Sequence, residues 1–222
     1  MLQKSKYFLG GIFLIAMSLM IAFAASGSGK WENFGTLFKN IYGDKEKNKT
    51  IAMLDGEPIS KQEYDAKKVF LTYLYEKVPS SQDIMEKIVY DKILLIEAKK
   101  LNLYPTKEET LAYMQKIRDI KENVKSDGVN IDDSSERSWQ EILKGQGMTE
   151  EEYWNSENTI KGYQTALAIA KVRSKLAQDW GFSGKKMATP EGMADYEKKL
   201  NDMINERKSV LKLEYLEPGL VN

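Results

Sequence analysis

The chain has 222 residues, 42% of them hydrophobic and 30% charged, with lysine plus arginine and aspartate plus glutamate balanced at 33 each. That size and polarity suit one main domain with a core of ordinary size. The balance gives no basic excess to attract nucleic acid and no acidic tail. Histidine and cysteine are both absent, which removes the commonest general base, the soft metal ligands, thiol nucleophiles and any disulfide framework. No metal or cofactor is expected.

Lys4 and Lys6 are followed by no further charge until Lys30. The apolar run from Tyr7 to Ile21 ends at Ala22-Phe23-Ala24, the small-x-small pattern of a signal peptidase site. Counted on to Ala25, the run is about nineteen residues, enough to span a bilayer. Residues 1–25 therefore read as a signal peptide or a transmembrane anchor, with cleavage and retention both open. Either way the lysines hold the N-terminus inside and place the rest outside the cytoplasm, secreted or anchored in the cell membrane. Without a cysteine, lipoprotein attachment is excluded.

Residues 26–49 read as a linker. Ser26-Gly27-Ser28-Gly29 and the lysine-rich stretch from Gly43 to Lys49 flank Trp31, Phe34, Leu37, Phe38 and Ile41, which suggest one or two amphipathic turns of a membrane-proximal spacer. A domain start follows. Thr50 to Leu54 is β-prone, Asp55-Gly56 supplies a two-residue turn tolerant of positive φ, and Glu57 to Ile59 returns. Ser60 then stands three residues before Glu63, the capping-box spacing of a helix start.

The pattern stays helical from Ser60 onward. Ser80 with Asp83, Thr106 with Glu109 and Thr149 with Glu152 repeat the box, each cap contributing only about 1 kcal/mol and so setting boundaries rather than stability. Ile84, Met85, Ile88, Val89, Ile93, Leu95, Ile96 and Ala98 make the second helix apolar around much of its circumference, as for a central helix. Tyr113, Ile117, Ile120 and Val124 form a narrower stripe, so the third helix lies on the surface with one face buried. Ser126 to Ser135 reads as a loop, and a short helix with Trp139, Ile142 and Leu143 is ended by Gly145-Gln146-Gly147.

A long helix is expected from about Glu150 to Gln178, interrupted after its end by Gly181-Phe182-Ser183-Gly184. Thr189-Pro190-Glu191 starts another, with proline at its favoured first position. Val210 to Leu216 alternates apolar and charged residues, the period of a half-buried strand. An isolated strand leaves its backbone groups unpaired, and the only other strand-like sequence is the hairpin. The expected fold is mainly α, with a small sheet of two or three strands joining the N-terminal hairpin to the C-terminal strand.

Three stretches, in order, carry a family resemblance. They are Met53-Leu-Asp-Gly-Glu-Pro-Ile-Ser-Lys-Gln-Glu-Tyr64; the helix from Ile84 to Ala98 with Leu101-Asn-Leu-Tyr-Pro-Thr-Lys-Glu-Glu109; and Gly147-Met-Thr-Glu-Glu-Glu-Tyr153. Together residues 50–182 resemble the N-terminal chaperone domain of the SurA and PrsA type of exported bacterial folding factors. In that family a parvulin prolyl isomerase domain usually follows the long helix. Here only Gln178 to Ala188 lies between the helices, and the histidines common in parvulin sites are missing. The resemblance implies a chaperone module without its isomerase, residues 183–222 packing back on it as a C-terminal helix and strand.

What this implies is an exported, ATP-independent holdase for unfolded or newly translocated polypeptides, not an enzyme. Residual or lost prolyl isomerase activity, and an envelope adaptor with one dedicated partner, are the alternatives. A client groove would draw on Tyr73, Tyr75, Tyr90, Tyr113, Tyr153, Trp154 and Tyr163, although tyrosines at helical spacing usually bury the ring and expose the hydroxyl. Glu108-Glu109 and Glu150 to Glu152 fall in first helical turns, where negative charge suits the helix dipole. Asp132-Asp133 lacks the spacing of a calcium loop, and no Gly-x-Ser-x-Gly or phosphate loop occurs.

Overall fold

The computed structural model describes residues 29–126 and 133–217. The expected export segment and part of the expected loop between Ser126 and Ser135 lie outside them. The hairpin and the last described strand meet in a three-stranded sheet of order β2-β1-β3. β1 (Thr50–Leu54) and β2 (Glu57–Ser60) form the hairpin, with Leu54 opposite Glu57, Met53 opposite Pro58 and Ala52 opposite Ile59. Asp55 and Gly56 have φ of 50° and 85°, the doubly left-handed turn whose twist matches the strands. β3 (Leu213–Tyr215) lies antiparallel on the other side of β1, with Leu213 opposite Leu54 and Tyr215 opposite Ala52.

β2 leads directly into α2 (Lys61–Tyr75), where the Ser60 hydroxyl accepts from the Glu63 N–H at 3.0 Å. The reciprocal half of the expected box is not made, because the Glu63 carboxylate turns to Lys92 at 3.2 Å. α3 (Ser81–Lys100) is the central helix, with Ile84, Met85, Ile88, Val89, Ile93, Leu94 and Ala98 buried among Ile51, Leu54 and Ile59 of the sheet. Its start carries the full box: Ser80 accepts from the Asp83 N–H and Asp83 accepts from the Ser80 N–H. It ends where Asn102 takes a φ of 53° and the Leu103 N–H reaches the Ala98 carbonyl at 2.8 Å, a Schellman closure.

α4 (Lys107–Ser126) and α5 (Asp133–Gln146) follow. The expected long helix is two helices, α6 (Glu150–Asn155) and α7 (Glu157–Asp179). Ser156 breaks it with an extended backbone (φ −70°, ψ 140°), its hydroxyl accepting from the Thr159 N–H at 3.1 Å. A serine that caps the second helix leaves the first helix without its continuing hydrogen bonds.

After one turn, α8 (Gly184–Met187), α9 (Pro190–Val210) closes over α3 and α7 with Tyr196, Leu200 and Ile204. Polar contacts also fix it. The Tyr196 hydroxyl donates to the Arg173 carbonyl at 3.0 Å, and Arg207 meets the buried Glu97 at 3.1 Å. α9 runs to Val210, so the strand expected from there is confined to the three residues of β3.

The expected linker is corrected most. Residues Lys30–Gly43 form α1, a 14-residue helix with Trp31, Gly35 and Ile41 buried, followed by a 3-10 turn at Lys45–Asn48. α1 lies backbone to backbone on α5. Gly35 faces the Ile142 carbonyl, Gly145 faces that of Glu32, and Thr36 donates to the Gly145 carbonyl at 3.3 Å. Gly145 is thus a buried contact inside α5. Gly147, with φ of 66°, is the residue that ends the helix.

Candidate functional site

The seven aromatic candidates separate into four places. Tyr113, Tyr153, Trp154 and Tyr163 come together between α4, α6 and α7, joined by Trp139 of α5. Ring centroids lie 4.7 Å apart for Trp139 and Tyr153, 5.6 Å for Tyr153 and Trp154, 5.6 Å for Trp154 and Tyr163, and 6.5 Å for Tyr113 and Tyr163. Tyr113 and Trp154 are buried and the other three half-buried. Burial pushes the Tyr153 phenol up to about 12, partly offset by its bond to Thr159, with a further push from Tyr42. Burial, helped by Tyr153 and Tyr113, also pushes Tyr163 up. The rings cement four helices, each pair adding about 0.5–1.5 kcal/mol to its burial.

Tyr73 belongs to a second cluster, on α1. Its ring lies 5.9 Å from Trp31 and 4.9 Å from Phe34, and the row continues through Phe38 (4.6 Å from Phe34) to Tyr42 (6.0 Å from Phe38). Asn33 donates to the Tyr73 hydroxyl at 2.9 Å. Trp31, Phe34, Phe38, Tyr42 and Trp139 are missing from the sequence-based set. The spacing of three and four residues from Trp31 to Phe38 to Tyr42 was the available signal.

Tyr90 is elsewhere again, half-buried beside Arg173, Tyr196 and Glu197. Burial raises its phenol while the Arg173 charge opposes the rise. Arg173 stacks over the Tyr196 ring at 5.7 Å and pairs with Glu197. This is a polar seam holding α3, α7 and α9 together.

Only Tyr75 stands in the open, 58% exposed, with Val78 at 62%. Together with Leu71, Pro79 and Ser80 they line a depression of about 550 Å³ at the turn between α2 and α3, with Lys77, Asp83 and Lys87 also lining it. Tyr75 ends α2, and Glu76 follows with a left-handed φ of 52°. The short turn from Glu76 to Ser80 therefore presents its apolar side chains outward instead of folding them under a helix. A shallow apolar surface rimmed by both signs of charge can hold a short apolar segment without selecting its sequence.

Among the described residues, no group of three or more acidic side chains is placed to hold a metal ion, and no helix is long and apolar enough to cross a membrane. The expected anchor falls outside those residues. Comparison with protein families, curated proteins and solved structures finds no match to this chain.

Proposed function

We propose that this protein is an exported, ATP-independent holdase that binds unfolded or newly translocated polypeptides outside the cytoplasm, performs no covalent chemistry and needs no cofactor. The observation that carries the reading is the topology. The hairpin, central helix and capped helices that resemble a SurA-type chaperone module form one body, and a strand from the far end of the chain closes it against the hairpin. The single turn of α8 between α7 and α9 supports reading it as such a module without an inserted isomerase domain.

The open depression at the α2–α3 turn supplies a contact surface of the required kind. Burying three or four client side chains at roughly 2 kcal/mol each, less the cost of ordering the client, corresponds to binding weaker than micromolar. Binding of that strength releases its client without an energy source. The test is light scattering from a chemically unfolded model protein diluted into buffer. Suppression of aggregation at near-stoichiometric ratio without ATP is expected, and no suppression across several clients would sink the proposal.

A further inference from the structure

The sheet has two outer edges, and they are not alike. On β2, Pro58 stands opposite Met53, one residue from the turn-closing pair, so alternation faces its backbone away from β1. Proline has no N–H to offer, so that edge is blunted against strand addition. On the other side, Asp55 donates to the Lys212 carbonyl at 2.8 Å and Leu216 donates to the Ile51 carbonyl at 2.9 Å. Alternation of an antiparallel ladder then turns the N–H and C=O groups of Leu213 and Tyr215 away from β1. These are four backbone groups in extended geometry that pair with nothing among the described residues.

The side chains around that edge discriminate little. Lys212 and Glu214 neutralise each other in an ion pair, while Tyr215 and Leu216 are 45% and 54% exposed. Burial and then the Glu86 carboxylate of α3 raise the Tyr215 phenol.

We infer that the outer edge of β3 is a docking site for an extended, apolar segment of unfolded polypeptide, which adds a short fourth strand through the backbone groups of Leu213 and Tyr215. This rests on the holdase reading and names where the client's backbone is held. Backbone pairing is blind to sequence, as a holdase requires. A second copy of the chain is the poorer occupant. Three residues of edge contribute only a small part of the roughly 1,200 Å² that a stable interface buries, whereas a weak, reversible strand addition needs no more.

The experiment uses reduced, carboxymethylated lactalbumin, a permanently unfolded protein, as the probe. Its affinity is measured by fluorescence anisotropy, with hydrogen exchange of the Leu213 and Tyr215 amides followed in parallel on the wild-type chain. Tyr215→Pro removes the outward N–H together with the tyrosine side chain, and Tyr215→Ala removes the side chain but keeps the N–H. At least a fivefold loss of affinity is expected for proline against less than twofold for alanine, with both amides gaining protection when the probe binds. The exchange measurement stands even where the proline variant fails to fold.

Binding of the probe with unchanged affinity in Tyr215→Pro and no gain in amide protection overturns this inference and leaves the holdase standing. Amides already protected before addition mean a covered edge and also overturn it. A concentration-dependent dimer abolished by Tyr215→Pro replaces the client with a second copy. No binding by the wild-type chain overturns both readings.

Discussion

Gly35 of α1 and Gly145 of α5 put two helix backbones in direct contact. A methyl group on Gly35 would lie 2.2 Å from the Ile142 carbonyl oxygen, and one on Gly145 would lie 2.0 Å from that of Glu32. Both distances are inside any tolerable approach, and both obstacles are backbone, which cannot swing aside. Gly35→Ala or Gly145→Ala therefore forces the helices apart. Each should lower stability by about 1–3 kcal/mol despite alanine's better helix propensity, measured as the urea midpoint. Gly162→Ala is the control. It meets nothing within 4 Å on α7, and its expected effect is neutral to about 1 kcal/mol stabilising.

Alkaline pH should unfold the protein through its aromatic cluster. The Tyr153 phenol is held at about 12 in the folded chain against about 10 when unfolded. A raised folded value favours the folded state fully below pH 10, and that contribution is lost as the pH climbs from about 10 to 12. The loss is at most about 3 kcal/mol. Denaturant titrations across that window should show the fall, and Tyr153→Phe should make it shallower, the raised Tyr163 phenol carrying the remainder. At neutral pH the same variant loses its bond to Thr159 and about 1 kcal/mol.

Acid acts on the helix starts. The carboxylates of Asp83, Glu109 and Glu152 are held below their usual range. The Ser80 hydroxyl lowers Asp83, Lys171 and then the Thr106 N–H lower Glu109, and the Thr149 N–H lowers Glu152. Each depressed group stabilises the fold at neutral pH and loses that contribution as the pH falls through its folded value. A variant carrying Asp83→Asn, Glu109→Gln and Glu152→Gln should show a shallower decline in urea midpoint between pH 7 and pH 3 than the wild type.

Client affinity should separate from stability at the α2–α3 turn. Tyr75 and Val78 are more than half exposed, so Tyr75→Ser with Val78→Ser should leave the melting temperature nearly unchanged. If the depression holds clients, the double variant should need about tenfold more protein for the same suppression of aggregation, corresponding to roughly 1.4 kcal/mol. Equal suppression by both chains would remove the depression from the binding surface.

Elements specified by neighbouring residues were legible in the sequence. Asp55-Gly56 can do little else than turn a hairpin, and the apolar circumference of Ile84 to Ala98 has no place but the centre. The pairing of β3 with β1 was legible because a lone strand needs a partner. Elements specified by distant contacts were not. Thr36 and Gly145 are 109 residues apart, so the glycine that lets α5 receive α1 looked like a helix terminator and α1 looked like a spacer. Ser156 hid for a different reason, since Ser156-Glu157-Asn158-Thr159 lacks the acidic third residue that marks a box.

The candidate surface was the least legible part. Aromatic residues at helical spacing carry no sign of which side faces water. Burial depends on whether another helix arrives, and for Tyr113, Tyr153, Trp154 and Tyr163 it does. Tyr75 stays open because the chain turns left-handed at Glu76, a property of the backbone that the residue type does not announce.

The order of strands in the sheet sets a timetable for synthesis. β1 and β2 leave the ribosome early, but the strand that covers the far side of β1 is encoded about 160 residues later, a wait of roughly 8–30 s at ordinary elongation rates. Throughout that interval the inner edge of β1 and the apolar faces awaiting α9 have no covering. The growing chain is therefore itself an unfinished polypeptide of the kind it is proposed to hold.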